Sequence, residues 1–204
     1  IFANTTYIGE PERDYIRTQV MAGGRTVVFF YGSGYSDGRK NDPDLISSLT
    51  GIQVEKAAVR HTTLETNLNG VDHRVAVDGL LTYFQVVDHA ASIVGRYEGG
   101  ENAAAMKQVG ECTSIYFGAP LGRAPGLLQA LCKLAGVRVF VEEMLPGDYV
   151  SVGGGVIALY TVSGGEKIIC PLDGRRRSVS MTPFTTRYFG IGDGSLLLKE
   201  DTVN

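Results

Sequence analysis

A chain of 204 residues, 44% of them hydrophobic and 20% charged, can fold around one sizeable core, or one core and a small appendage, and lies outside the composition of disordered polypeptides. Its formal net charge of -3 supplies no basic field for a nucleic-acid backbone or an anionic membrane surface, so neither partner is expected. No apolar run reaches the roughly 20 residues that span a bilayer. The chain opens at Ile1 in a β-like run without a signal segment, and reads as a processed product or a piece of something longer.

In chain order, Ile1 to Asn4 has the character of a strand. Glu10 to Ala22 is expected to be a helix: Pro11 and three acids fill its first turn, Ile16 and Val20 share a face, and Gly23-Gly24 follows its end. Thr26 to Tyr31 is an unbroken apolar run of the kind buried on both faces, which completes a β-α-β unit. Asp42 caps a second helix with Pro43 at its first position and Gly51 as its left-handed stop, leading into a strand over Ile52 to Val59. His61 to Val77 alternates about Asn69-Gly70 and predicts a hairpin inserted on the sheet. Leu81 to Asp88 and Ser92 to Glu98 read as short strands, and Glu101 to Gln108 as a loop or helical turn. Cys112 to Gly118 reads as a buried strand, Pro125 to Ala135 as a helix with Leu127, Leu128, Leu131 and Leu134 on one side, and Val137 to Val141 as the strand after it. After Pro146-Gly147 only β texture remains, with Ser163-Gly164-Gly165 having the length and residues of a hairpin turn. The expected organisation is an α/β domain over 1–146 and a small antiparallel extension over 147–204.

The glycine-rich run Tyr31 to Gly38 sits where ligands bind in open α/β sheets, at the end of a buried strand. It is no phosphate cradle, because the helix that should follow at once begins only at Pro43 and no P-loop lysine is present. Ser33 is crowded as a nucleophile by Tyr31 and Tyr35, where an elbow demands small residues. A base would have to come from His61, His73 or His89, of which the first two lie on or beside the hairpin and the third merely follows Asp88. Glu142-Glu143 and Asp72-His73 read as solvated loop groups rather than a glycosidase pair, and Arg175-Arg176-Arg177 as a solvated turn. Gly153 to Gly155 with Tyr83, Tyr97, Tyr116, Tyr149 and Tyr160 could line a sugar platform, but core packing accounts for the tyrosines without one. Cys112, Cys132 and Cys170 are odd in number and widely spaced, the pattern of three unpaired thiols rather than a metal site or redox pair.

Two stretches carry a family resemblance. AGGRTVVFFYGSGYSDG with the following LTGIQVEK, and ECTSIYFGAPLGRAPGLLQALCKLAGVRVFV, resemble the trimerisation domain of β-galactosidases, a relative of the class I glutamine amidotransferase fold; together they cover much of Ala22 to Val141. The resemblance implies a flavodoxin-like, mostly parallel sheet with helices on both faces, set after a catalytic barrel and contributing subunit contacts. Active amidotransferases carry a cysteine at the elbow, and the alignment puts Gly32 there. Their His-Glu pair should fall late in the α/β core, yet no histidine follows His89. The resemblance therefore implies a degenerate elbow at Gly32, Ser33 and Gly34 with no catalytic residue; no His or Cys pair sits at ligand spacing, so no metal is expected, and no cofactor is expected either. Tyr31, Ser33, Tyr35 and Asp37 remain as ligand or interface candidates, and Gly32 to Asn41 and Leu64 to Val77 as contact surfaces. The expected partners are an upstream catalytic domain or further copies of the chain. The alternatives are a hydrolase with a Ser or Cys nucleophile in the crevice, or a small-ligand domain using that crevice without chemistry.

Overall fold

The computed structural model describes residues 1–59, 61–77, 83–120 and 124–199. The chain divides into two compact units, Ile1–Arg123 and Ala124–Asn204.

The first unit begins with β1 (Phe2–Ala3), α1 (Glu10–Tyr15) and β2 (Thr26–Phe30), with β1 and β2 parallel as the β-α-β reading requires. The helix runs on through a wider π-type turn, Ile16–Val20, which buries Ile16. Next comes α2 (Pro43–Thr50): the Asp42 side chain accepts from the Asp44 N–H at 2.9 Å, and Gly51 takes the left-handed stop at φ 73°. The rest is strands: β3 (Val54–Lys56), β4 (Thr63–Leu68), β5 (Val71–Ala76), β6 (Phe84–Val86), β7 (Ser92–Tyr97), β8 (Asn102–Val109) and β9 (Cys112–Phe117). Asn69 and Gly70, both at positive φ, join β4 to β5.

These strands overturn the expected architecture. The order is β1-β2-β9-β8-β7-β4-β5, parallel only among β1, β2 and β9 and antiparallel from there on. Of the described residues 43% are strand and 15% helix, and the sheet is curled and mixed rather than flavodoxin-like. In the first unit the described helices lie on one face of the parallel end. Ile16, Ile46 and Leu49 join Val27 and Phe29 of β2 in a single cluster, so α1 and the π-turn pack on the same side as α2. The physical reason lies between Gly51 and Phe117: a doubly wound sheet needs a helix for each parallel crossover, and this stretch supplies hairpin-like alternation instead. Glu101 to Gln108, expected as loop or helical turn, forms most of β8. Ala103, Ala104 and Ala105 are buried there because the sheet leaves room only for small side chains, with Gly95 directly beside Ala104. The predicted Ile52 to Val59 strand shortens to β3, which pairs with β6 in a separate two-stranded sheet.

The second unit contains α3 (Pro125–Leu134), β10 (Val141–Glu142), β11 (Tyr149–Gly153), β12 (Val156–Thr161), β13 (Gly165–Ile169), β14 (Arg177–Met181), β15 (Thr185–Gly190) and β16 (Leu196–Lys199). Leu127 and Leu131 are the buried leucines of α3, and its Gln129 side chain donates to the Val141 carbonyl at 2.6 Å. Val137 to Arg138 is exposed coil, so the predicted strand there contracts to β10. The strands form two sheets, β10-β13-β14 and β11-β12-β15-β16. Val141, Ile169 and Met181 of one meet Ile157, Leu159 and Phe189 of the other, which makes a small sandwich. The segment Ser163 to Gly165 is accordingly no hairpin turn: β12 and β13 do not pair, and the chain switches sheets between them.

Candidate functional site

The bend after β2 is built from the inside. Tyr31 carries the left-handed backbone, φ 57°, one position before Gly32. Its N–H donates to the Phe117 carbonyl at 2.7 Å and its carbonyl accepts from the Tyr116 hydroxyl at 2.9 Å, which offsets the cost of that conformation. Ser33 is fully buried, and its hydroxyl lies 2.7 Å from the Phe30 carbonyl and 3.1 Å from that of Phe2. Among the described residues its hydrogen-bond partners are main-chain oxygens, not an imidazole. Gly32 is packed against Tyr35, Phe84 and Thr6, and a side chain at Gly34, φ 77°, would strike Leu49 at 2.6 Å.

Arg13 holds this loop in place and is a residue that sequence reasoning passed over. It is 4% exposed, yet among the described residues no carboxylate touches it. Its guanidinium donates to the carbonyls of Ile8 at 2.9 Å, Leu45 at 2.8 Å, Ser36 at 3.3 Å and Gly34, tying the start of α1, the post-β2 loop and α2 together. Burial lowers its pKa, opposed by the negative field of Asp37. An arginine among first-turn acids gives no sequence sign of such a role, because its partners lie up to 32 residues away.

Tyr31 and Tyr35 are half-buried and flank Phe84, with ring centroids 5.7 and 5.2 Å from it, and the Lys56 ammonium lies 5.5 Å over the Tyr35 ring. Burial, then Tyr35, raises the Tyr31 hydroxyl pKa. Asp37 spends one carboxylate oxygen on the N–H groups of Lys40 and Arg39, at 2.9 and 2.8 Å, and these bonds hold its pKa down. It is a turn-former. An apolar hollow of about 600 Å³ is lined by Phe2, Tyr7, Ile8, Tyr15, Ile16 and Val20 of the β1–α1 region.

The histidines are not gathered around Ser33. His61 is buried, stacked on Tyr97 at 4.1 Å with the rings 2° from parallel, its Nε2 3.8 Å from Glu101. His73 lies on β5 beside a polar hollow of about 570 Å³ with Glu65, Arg74 and Arg96. His89 is exposed, while Asp88 is held by the Lys107 ammonium at 2.7 Å and the N–H groups of Ala90 and Gln53. Glu142 pairs with Lys133 and Arg176, and Arg177 with Asp173. All three cysteines are free, and burial raises the thiol pKa of Cys112 and Cys170. Of the tyrosines, Tyr83, Tyr97 and Tyr116 are core, whereas Tyr149 is 67% exposed.

No protein-family model matches the sequence, and no curated protein matches it. Solved structures share the fold. The polyextremophilic β-galactosidase from the Antarctic haloarchaeon Halorubrum lacusprofundi is similar with a TM-score of 0.62 at 20% identity, over 98% of this chain and 30% of that one. The cold-adapted β-galactosidase from Rahnella sp. R3 is similar with a TM-score of 0.62 at 15% identity, over 90% and 31%. Gan42B, a GH42 β-galactosidase from G. stearothermophilus, gives a TM-score of 0.56 at 17% identity, over 90% and 30%. The chain spans about 30% of the length of these similar structures, and at these identities the likeness is one of fold.

Proposed function

We propose that this chain is a non-catalytic accessory or assembly portion of a larger β-galactosidase-like glycoside hydrolase, acting through contacts with the catalytic portion of its polypeptide or with further copies of itself. One observation carries the reading: 98% of the chain, both units included, finds its counterpart in 30% of a β-galactosidase chain. The post-β2 bend supports it, since Ser33 bonds inward to carbonyls and Arg13 consumes its donors on the backbone. A nucleophile needs a base within hydrogen-bond reach and an open approach, and among the described residues Ser33 has neither. Burial disfavours the thiolates of Cys112 and Cys170, which weighs against the cysteine form of the hydrolase alternative. The test is turnover of a chromogenic β-galactoside and a chromogenic ester by the purified chain. No turnover above buffer is expected; turnover that disappears in Ser33→Ala would reject the proposal.

A further inference from the structure

Open strand edges attract other strands, and folded proteins blunt them with brevity, charge, bulges or cover. Among the described residues, nearly every edge here carries such a device. β1 and β10 are two residues long. β5 carries Asp72, His73 and Arg74, and β3 is three residues with Glu55 and Lys56. β6 has its Phe84 N–H taken by the Gly118 carbonyl. β14 begins at Arg177 and has its Ser180 carbonyl taken by Arg187. β16 is broken by a register shift where Tyr188 and Phe189 pair with Leu198 and Leu196. β11 has none of these: Tyr149-Val150-Ser151-Val152-Gly153 is uncharged, regularly paired on one side only, and exposed along its whole length.

From this edge we infer that β11 is a self-association surface, on which a second copy of the chain adds its own β11 antiparallel about a two-fold axis through Ser151. The inference rests on the assembly reading above and names one surface for it. The register suits a second copy of the strand. Gly154 and Gly155, at φ 57° and 83°, make the two-residue turn whose flanking pair, Gly153 and Val156, is hydrogen-bonded. Alternation then turns the N–H and C=O of Tyr149, Ser151 and Gly153 toward β12 and leaves those of Val150 and Val152 on the free edge. Centring two such strands on Ser151 sets Val150 of one copy opposite Val152 of the other, so each of those two pairs exchanges both of its bonds. The side chains agree with that register. Val150 and Val152, 41% and 39% exposed, meet their counterparts apolar to apolar. Tyr149 comes opposite Gly153, where nothing lies within 4 Å of the position a side chain would fill. No charge is brought against a like charge. A five-residue strand contact falls in the small, reversible class of interface, so the dimer should depend on concentration.

Sedimentation velocity of the 204-residue chain from micromolar to submillimolar concentration tests this. The wild type should shift toward dimer. Ser151→Lys, which sets two ammonium groups face to face at an exposed position, should weaken the shift roughly tenfold or more. Mixing Ser151→Lys with Ser151→Glu should restore it, and Ser151→Cys should oxidise to a covalent dimer that the three native cysteines do not form. A wild type that stays monomeric throughout would overturn the inference, and so would Ser151→Lys associating as the wild type does. Either result leaves the accessory reading to its own hydrolysis assay.

Discussion

Among the described residues each unit buries one arginine or lysine, and the two are accommodated in opposite ways. In the first unit the Arg13 guanidinium is distributed over four main-chain carbonyls from three segments and, among the described residues, touches no carboxylate. In the second, the Lys167 ammonium is 1% exposed and lies 2.6 Å from Asp148, itself fully buried. Asp148 also accepts from the Thr161 hydroxyl at 2.6 Å and the Leu145 N–H at 2.7 Å, so both of its carboxylate oxygens are engaged. The planar fork of arginine can bridge loops with its charge fixed; a lysine–aspartate pair is compact and contains a carboxylate that can titrate. The first device organises the bend where a catalytic group was sought. The second locks the small sandwich.

The largest effect should come from breaking the second device on one side. Lys167→Met leaves Asp148 buried without its cation and is expected to cost about 3–5 kcal/mol of the second unit's stability, read by urea unfolding. Lys167→Met combined with Asp148→Leu should recover much of it, because an apolar pair strands no charge. A single variant as stable as the wild type would mean that Asp148 finds water, and the contrast between the units would fall.

Arg13→Met should cost less, about 2–3 kcal/mol, since it orphans neutral carbonyls and leaves no buried charge without its partner. Arg13→Lys should rescue only part of this, because one ammonium cannot reach the carbonyls that the guanidinium bridges. Hydrogen exchange should localise the loss to Gly32 to Ser36 and the start of α2. Full rescue by lysine would show that charge, and not the fork, holds the bend.

Acid should separate the two devices by a smaller margin. Desolvation pushes the Asp148 carboxyl up, but Lys167, Thr161 and Leu145 outweigh it and its folded pKa lies below the ordinary value. A lowered folded pKa contributes stability above the unfolded value, about 3.9, and loses it as pH falls through the folded one. Arginine stays protonated throughout, so Arg13 contributes no such slope. Amide exchange in the sandwich should therefore accelerate below about pH 4, and Asp148→Asn should flatten that dependence.

What the sequence made legible was local. Pro43 behind Asp42, Gly51 and Asn69-Gly70 state their conformations through their own chemistry, and the helices and turn stand where those residues put them. The sheet was not legible, because pairing is decided between distant segments. Ala103 to Ala105 favour helix in isolation, and β8 is a strand only because β7 and β9 pair with it on either side. Ser163 to Gly165 has hairpin residues, yet the strands it joins belong to different sheets. At the bend, the glycines and Ser33 were visible but Arg13 was not, since a carbonyl partner leaves no trace in residue type.

The account turns on Ser33 being bonded inward rather than poised to attack, and its reactivity toward a fluorophosphonate, followed by intact mass, tests that most directly. We predict that the folded chain keeps its unmodified mass. A single phosphonyl adduct mapped to Ser33 would contradict the account.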